Sequence, residues 1–266
     1  MLKRLFQRGR PSSPGEPQVE GRSPTLPRGV RAYVVGDVHG RLDLLQAVDR
    51  FIAADVLESG RWLDCLVVHL GDFVDRGFDS RRVLDYLLQQ RGDGLVRVHL
   101  LGNHDLWLRE FAAATCSDDM TASWMRFGGD ATLLSYGIKL DPKKPEPERF
   151  ADAQRLMRER FPQEHARFLA GLDHAFGLGD YFFCHAGIRP EVPLDRQAES
   201  DLLWIREPFL SWNGDCGKVV VHGHTVEEAP VVRTNRIGID TGACWTGRLT
   251  CLVLEGPDRR FLQTGR

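Results

Sequence analysis

The sequence predicts an α/β fold with an at least partly parallel sheet, and two observations support this. Short apolar runs alternate with amphipathic segments of helical periodicity along the first half of the chain. Each of the first three predicted strands also runs into a polar loop that contains glycine, and such loops collect at the carboxyl edge of a parallel sheet. The length of 266 residues suits one folded domain with a tail.

The predicted elements follow one another in a regular order. Strands are predicted at 31–35, 65–70 and 95–101, each followed by a helix, at 42–57, 80–90 and 106–114. Four further strands are predicted near the end of the chain, at 180–185, 218–222, 236–240 and 248–255. Residues 115–177 lack the strand pattern and contain a charged, proline-bearing linker between segments of helical character. We expect this stretch to form an inserted, mostly helical cap.

The chain begins with a segment of different composition. Proline and glycine recur between residues 9 and 29 with almost no apolar side chains, so this part cannot bury enough surface to offset its ordering entropy. Residues 1–31 also carry seven basic side chains against two acidic ones. We therefore predict a flexible basic tail at 1–29 and a folded domain at 30–266.

The overall composition excludes several classes of protein. The formal net charge of -2 indicates no nucleic-acid partner. No apolar run reaches the roughly 18–20 residues that span a bilayer, and the first ten residues lack the apolar core of a signal peptide. The six cysteines form no C-x-x-C pair, so neither disulfides nor a zinc finger are indicated. We expect a cytoplasmic protein without stable membrane insertion; the sequence does not indicate an oligomeric state.

Side chains that bind metals follow the predicted strands. Asp37 and His39 lie two residues apart on an extended segment, so both project to the same side. Oxygen and imidazole donors together suit manganese, iron or zinc. Asp72 holds the equivalent place after the second strand, where one carboxylate can bridge two cations. Taken alone, an Asp at such a place would be interpreted as a helix cap, and a lone His as a structural residue. Here, however, such residues occur at five strand ends. The predicted ligands are Asp37, His39, Asp72, Asn103, His185 and His224.

Two arginines are candidates for binding phosphate. The predicted site would combine two divalent cations with two aspartates and a bridging hydroxide. The sum of these charges is slightly positive, which attracts a phosphate dianion. Two adjacent cations also lower the pKa of a shared water and clamp phosphoryl oxygens. Arg76 and Arg206 are then placed for bidentate contact with the phosphate. The alternative for each is a solvated surface arginine.

The motifs of the chain resemble those of a known family. GDVHG (36–40), GDFVDRG (71–77) and GNHD (102–105), continued by His185 and the HGHT run around His224, resemble the PPP family of metallophosphatases. The resemblance covers about residues 31–255 and is closest to the bacterial and bacteriophage lambda phosphatase branch. It implies the calcineurin-like metallophosphoesterase fold, in which two central mixed β-sheets are sandwiched between helices.

The resemblance also implies a role for each motif residue. One divalent cation would be held by Asp37, His39 and Asp72. The other would be held by Asp72, Asn103, His185 and His224. His104 would be the general acid, oriented by Asp75, while Arg76 and Arg206 hold the phosphate. The two cations, with manganese expected ahead of iron or zinc, would supply a bound water that attacks phosphorus directly, so no phosphoenzyme is expected.

The substrate stays open between two enzyme classes. The leading hypothesis is a phosphomonoesterase for phosphoserine and phosphothreonine in proteins. The alternative is a hydrolase of dinucleoside polyphosphates, or of another small phosphorylated metabolite, because Asp105 resembles the form common in symmetrical diadenosine tetraphosphate hydrolases. Asp75 favours the protein phosphatase. A catalytically inactive phosphoprotein-binding module is disfavoured because no ligand is missing. Trp124, Phe127 and Tyr136 are either a substrate wall or the apolar core of the cap.

Overall fold

The computed structural model describes residues 23–59, 64–90 and 94–265. Within these ranges the strands are β1 (Val30–Val35), β2 (Asp64–His69), β3 (Val96–His99), β4 (Ala175–Leu178), β5 (Tyr181–Cys184), β6 (Val219–His222), β7 (Val231–Val232), β8 (Arg236–Gly238), β9 (Thr250–Glu255) and β10 (Asp258–Gln263). The helices are α1 (Leu42–Glu58), α2 (Ser80–Gln89), α3 (Asn103–Ala113), α4 (Asp118–Trp124), α5 (Asp130–Ser135), α6 (Glu146–Arg160), α7 (Gln163–Ala170), α8 (Glu199–Trp204) and α9 (Ala243–Thr246). A π-helical turn, Met125–Gly129, joins α4 to α5.

The strands form two mixed sheets. The first has the order β10-β9-β1-β2-β3, with β1, β2 and β3 parallel and β9 antiparallel to β1. The second has the order β4-β5-β6-β8-β7, with β5, β6 and β8 parallel. The predicted α/β fold with two mixed sheets between helices is confirmed.

The alternation of side chains along β1 explains how the layers stack. Ala32 and Val34 lie in an apolar cluster formed with residues of the second sheet, whereas Tyr33 and Val35 lie in a cluster formed with the helices. Successive strand residues point to opposite faces, so one strand buries apolar surface on both sides. A third cluster packs α8 against the outer face of the second sheet. The order of layers is therefore helices, sheet, sheet and helix.

The helices pack on the outer face of the first sheet through periodic apolar side chains. In α1, Leu45, Val48 and Ile52 are fully buried at a spacing of three and four residues, which places them on one face. Along the described part of the chain, no helix is both long enough and apolar enough to cross a membrane.

The segment predicted as a cap is helical but is not a separate cap. Trp124, Leu133, Met157 and Leu169 belong to the same apolar cluster as the buried face of α1. The segment therefore completes the helical layer of the first sheet. Its predicted end at residue 177 also falls inside β4, because residues 175–178 pair with β5.

The predicted tail differs from the structure near its end. Residues 1–22 lie outside the described residues. Thr25 donates its backbone N–H to Asp180 Oδ2 at 2.9 Å, and Leu26 donates its own to Gly256 O at 3.1 Å. Leu26, only 2% exposed, lies in the cluster between the sheets. One apolar side chain in a proline-rich stretch is enough to bring residues 25–27 into the folded domain, ahead of the predicted boundary at 29.

Two histidines lie side by side below the carboxyl edge of the first sheet, His69 fully buried and His99 partly buried. His69 and His99 are paired in the parallel register of β2 and β3, and their rings stack at 4.8 Å. Neither ring nitrogen of His69 has a hydrogen-bond partner within the described residues. Burial lowers the pKa of His69 well below its usual value and that of His99 to about 4. Both rings are therefore neutral in the folded protein.

We predict that His69→Leu makes stability less sensitive to acid. In the unfolded chain the imidazole binds a proton below its ordinary pKa of about 6.5, whereas the buried ring does not. The free energy of unfolding should therefore fall as pH drops below about 6.5, by about 1 kcal/mol per pH unit for each buried histidine. Urea unfolding at pH 7, 6 and 5 should show a shallower decline for His69→Leu than for the wild type. Equal slopes would contradict this account.

Candidate active site

The carboxylate of Asp72 lies at the centre of the site. It follows β2, is 1% exposed, and its two oxygens face different histidines. Oδ2 is 3.4 Å from His39 Nε2, and Oδ1 is 3.5 Å from His185 Nε2. Oδ1 also accepts the backbone N–H of His104 at the first turn of α3, at 3.0 Å. Burial alone would raise the pKa of Asp72, but Coulombic attraction to the surrounding histidine rings, His185 and His104 foremost, lowers it overall. The carboxylate is therefore ionised and shared by both sides of the site.

Two imidazoles turn Nε2 toward this carboxylate. His39 Nδ1 lies 2.9 Å from Val74 O, and His185 Nδ1 lies 2.9 Å from Leu70 O. Since a carbonyl only accepts, each Nδ1 donates and each Nε2 keeps its lone pair, as in metal-binding histidines. Burial lowers the pKa of His39 and of His185, and that of His224 to about 2. All three are held in the neutral form that binds metals.

The donors fall into two groups that share one member. Ligand atoms of Asp72, His185 and His224 lie within 4.8 Å of one another, and so do those of Asp72, His39 and His104. Asn103 Oδ1 joins the first group, 2.9 Å from His185 Nε2. This geometry suits two neighbouring cations bridged by one carboxylate. His104 belongs to the second group by distance, although its other contacts suit a different role.

Unsatisfied buried atoms test whether a cation fits. Asp37 Oδ1, Asp240 Oδ2 and His224 Nε2 are buried and have no hydrogen-bond partner within the described residues. Burial raises the pKa of Asp37, and the nearby carboxylates of Asp240 and Asp72 raise it further. Burial likewise raises the pKa of Asp240 to about 6. Buried carboxylates without partners are costly unless paired with a cation, so the residues present fit a bound metal.

The loop from β6 brings Asp37 and His224 together. The backbone N–H of His224 donates to Asp37 Oδ2 at 3.0 Å, so strands of different sheets meet at this point. A side chain at Gly223 would collide with Asp37 Oδ1, which requires glycine there. The carboxyl ends of β1 and β6 therefore converge on one site.

His104 and Asp75 form a buried pair beside the metal ligands. His104 Nδ1 lies 2.6 Å from Asp75 Oδ2, and both side chains are almost fully buried. His104 Nε2 accepts from the guanidinium of Arg76, at 3.1 Å, so in this state Nδ1 carries the proton. The guanidinium of Arg76 also contacts His39 Nε2 and lies 4.6 Å from the ring centre of Trp245. This arrangement lets an imidazole exchange a proton at the point where an arginine would hold an anion.

Arg206 lies near two of the histidine ligands. It is exposed and follows α8. Its positive charge contributes to the lowered pKa values of His185 and His224, after the larger effect of burial. Arg206 is thus near the ligands, and all ten predicted site residues are brought to one region.

The backbone is strained at these same positions. Of the seven non-glycine residues with positive φ in the described ranges, five are predicted site residues: His39, Asp72, Asp75, Arg76 and His224. Such conformations cost on the order of 1–3 kcal/mol each and persist where surrounding structure imposes them. Their concentration here marks this edge as functional.

Some neighbours of the site were not predicted. Asp240, in the IDTGA run, lies beside Asp37, and its place after a strand was the signal that could have found it. Trp124 and Tyr136, considered as a possible substrate wall, are buried, and Trp124 Nε1 donates to Asp75 Oδ2 at 2.7 Å. Phe127 alone of the three is exposed. Thr132, which donates to Asp75 Oδ1 at 2.7 Å, had no sequence signal.

Asp105 has a structural role. Its side chain is fully buried and accepts the backbone N–H groups of Gly102, at 3.0 Å, and Phe73, at 2.9 Å. It caps α3 and ties that helix to the loop after β2. The Asp105 side chain is therefore not placed to contact a substrate.

Comparison with known proteins identifies relatives across most of the chain. A model described as calcineurin-like phosphoesterase matches residues 30–248. The symmetrical bis(5'-nucleosyl)-tetraphosphatase of Cronobacter sakazakii is 27% identical over 265 residues, covering 84% of this chain and 90% of that protein. The asymmetrical bis(5'-nucleosyl)-tetraphosphatase PrpE of Bacillus cereus is 23% identical over 248 residues, covering 82% of this chain and 88% of that protein.

Solved structures share the fold. A putative diadenosine tetraphosphatase superposes with a TM-score of 0.62 at 22% identity, covering 92% of this chain and 100% of that one. A cold-active protein-tyrosine phosphatase of a Shewanella species has a TM-score of 0.51 at 17% identity, covering 94% and 87%. At these identities the structures support the architecture alone.

We predict that Asp72→Asn removes both activity and metal, because one carboxylate serves both groups of ligands. Turnover of p-nitrophenyl phosphate should fall at least about 100-fold. That factor is the upper end of the loss on replacing a residue that only orients a metal ligand, and Asp72 is itself a predicted ligand. Bound manganese per chain, measured by mass spectrometry after chelation and reconstitution, should fall as well. Asp79→Asn, a partly exposed aspartate just before α2, serves as the control. Wild-type metal content in Asp72→Asn would contradict the shared site.

Proposed function

The chain belongs to the calcineurin-like phosphoesterase family, and we propose that it is a hydrolase of phosphate monoesters whose reaction uses two divalent cations and a general acid. The narrower resemblance to the bacteriophage lambda phosphatase branch stays a prediction, as does a cytoplasmic location. The observation that carries the proposal is the buried His104–Asp75 pair next to Asp72, with Nδ1 and Oδ2 2.6 Å apart.

We assign the metal ligands as the resemblance of the motifs implies, and the two groups of donor atoms that share Asp72 support this assignment. Asp37, His39 and Asp72 would hold one cation, and Asp72, Asn103, His185 and His224 the other. Mixed nitrogen and oxygen donors suit manganese, iron or zinc, and manganese is our choice. When bound, such a pair supplies positive charge and a water of lowered pKa.

The arginines would hold the phosphate. The guanidinium of Arg76 contacts both His39 and His104, so an anion bound by Arg76 would lie beside both the acid and the metal ligands. Arg206 lies near His185 and His224. Two guanidinium groups can bind phosphoryl oxygens in bidentate fashion and hold the ester for attack from one side.

The acid decides which leaving groups the site can release. Asp75 fixes the Nδ1–H of His104, so a proton on Nε2 faces the position of the phosphate. The alkoxide of serine or threonine is a poor leaving group and needs that proton as the bond breaks. An anhydride leaving group departs without it. The buried pair therefore favours phosphoserine and phosphothreonine substrates.

We predict that His104→Ala shows strong dependence on the leaving group. Positioned proton transfer is worth about 10²–10⁴ in rate, so kcat/KM on a phosphoserine peptide should fall by that factor. On p-nitrophenyl phosphate, whose phenolate leaves readily, the loss should be much smaller, with manganese content unchanged. Asp75→Asn should show the same selectivity in milder form. Equal loss on both substrates would refute the role of His104 as the acid.

A second candidate, hydrolysis of dinucleoside polyphosphates, has two supports. The named relatives are bis(5'-nucleosyl)-tetraphosphatases. In addition, the indole of Trp245 is 62% exposed, although the ring lies against Arg76. Phe127, 56% exposed, stacks on Trp107, which meets the His104 ring edge-on. Exposed aromatic rings near an anion site could stack nucleobases.

We predict that Trp245 separates the two substrate classes. If nucleotides are substrates, Trp245→Leu should lower kcat/KM on diadenosine tetraphosphate about 5- to 100-fold, the range for one lost stacking contact. Trp245→Phe, which keeps a ring, should retain most activity. Neither variant should change turnover of p-nitrophenyl phosphate by more than about twofold. A wild-type enzyme that prefers a phosphoserine peptide, with no Trp245 effect on either substrate, would exclude the second candidate.

A further inference from the structure

We infer that Trp124 and Thr132, from the helical segment between α3 and α6, are positioning residues that hold Asp75 and through it aim the general acid His104. This inference rests on the proposed function. It gives this segment a part in catalysis. The position of the segment between the predicted metal ligands does not indicate such a part, and neither does its helical character.

Every polar atom of Asp75 outside the peptide carbonyl is engaged by a few buried partners. Oδ2 lies 2.6 Å from His104 Nδ1 and accepts from Trp124 Nε1 at 2.7 Å. Oδ1 accepts from the hydroxyl of Thr132 at 2.7 Å. The backbone N–H of Asp75 lies 2.9 Å from that hydroxyl and 3.0 Å from Ser80 Oγ. One carboxylate is thus held at both oxygens by donors from the helical segment.

The same segment also holds the backbone of the catalytic loop. Gly128 O, in the π-helical turn, accepts the backbone N–H of Arg76 at 3.1 Å. Asp75 and Arg76 have φ of 74° and 66°, a costly conformation for two consecutive residues with side chains. Gly128 has φ of 108°, and a Cβ there would lie 2.8 Å from Arg76 N. The turn is therefore shaped to approach this strained dipeptide closely.

Full burial makes these contacts matter for the acid. Asp75 and Thr132 have no exposed surface, and Trp124 is 1% exposed. With no water to replace a lost donor, the carboxylate would turn toward its remaining partners. A tilted carboxylate would tilt the imidazole with it, and proton transfer to a leaving oxygen depends steeply on alignment.

A purely structural role is the competing explanation. The Trp124 ring also packs against Phe111 at 4.6 Å between ring centres, and its replacement would disturb the core. Loss of overall activity in such a variant would therefore decide nothing. A positioning role instead requires that the loss of activity depend on the leaving group. It also requires that the loss be absent when Asp75 has already been replaced.

The experiment uses isosteric changes at Thr132. Thr132→Val keeps the shape and removes the hydroxyl, whereas Thr132→Ser keeps the hydroxyl. The matched control is Thr121→Val, a buried threonine of the same segment whose hydroxyl lies 3.1 Å from Cys116 Sγ and does not contact Asp75. The full-length, manganese-reconstituted protein is assayed on a phosphoserine peptide and on p-nitrophenyl phosphate, with thermal unfolding recorded for each variant.

We expect Thr132→Val to lower kcat on the peptide by about 10-fold, a fraction of the full value of the acid, and on p-nitrophenyl phosphate by less than about twofold. Thr132→Ser should restore the peptide reaction, and Thr121→Val should be neutral on both substrates. Trp124→Phe, which keeps a ring without the N–H, should match Thr132→Val. If Trp124→Phe does not fold, the Thr132 pair decides.

A double variant tests whether the effect passes through Asp75. On an Asp75→Asn background, Thr132→Val should cause no further loss on the peptide. Additive losses, or equal losses on both substrates, would overturn the inference. It would also be overturned if His104→Ala is selective for the peptide while Thr132→Val has no effect. If His104→Ala is itself unselective, the proposed acid fails instead.

Discussion

The structure depends on one buried negative charge, the carboxylate of Asp72. It is almost fully buried, and the backbone N–H of His104 donates to it directly. Desolvating a carboxylate costs several kcal/mol unless opposite charge or donors surround it. The side chains around it are neutral imidazoles whose lone pairs face the carboxylate. This arrangement stabilises the carboxylate only if cations lie between it and the imidazoles. The convergence of loops from both sheets follows from this requirement, because no single loop provides enough donors.

Holding those donors in place has a conformational cost that the sheets absorb. Five site residues adopt left-handed backbone conformations, and each follows or adjoins a strand whose other residues are firmly paired. A strained turn between rigid elements cannot relax without breaking a strand register. The strain therefore persists where it orients a ligand or a catalytic side chain.

The helical segment after α3 shows how an insertion can serve the centre of a site. Its apolar side chains complete the core beside α1, while Trp124, Gly128 and Thr132 reach the catalytic loop from behind. We expect the choice of substrate to depend on the exposed rim of the site. Trp245, in α9, and Phe127, in the π-helical turn, are exposed there.

The sequence by itself determined the α/β alternation and the strand-end position of every predicted ligand. These follow from local pattern, because strand ends and glycine loops are encoded by adjacent residues, whereas the His104–Asp75 pair came from the resemblance of the motifs. Only the tertiary structure decided that Leu26 belongs to the core, that Asp105 is a buried cap, and that Trp124 and Thr132 touch Asp75 rather than a substrate. Contacts across 49 and 57 residues depend on how the helical layer packs on the first sheet, and no local pattern records that packing.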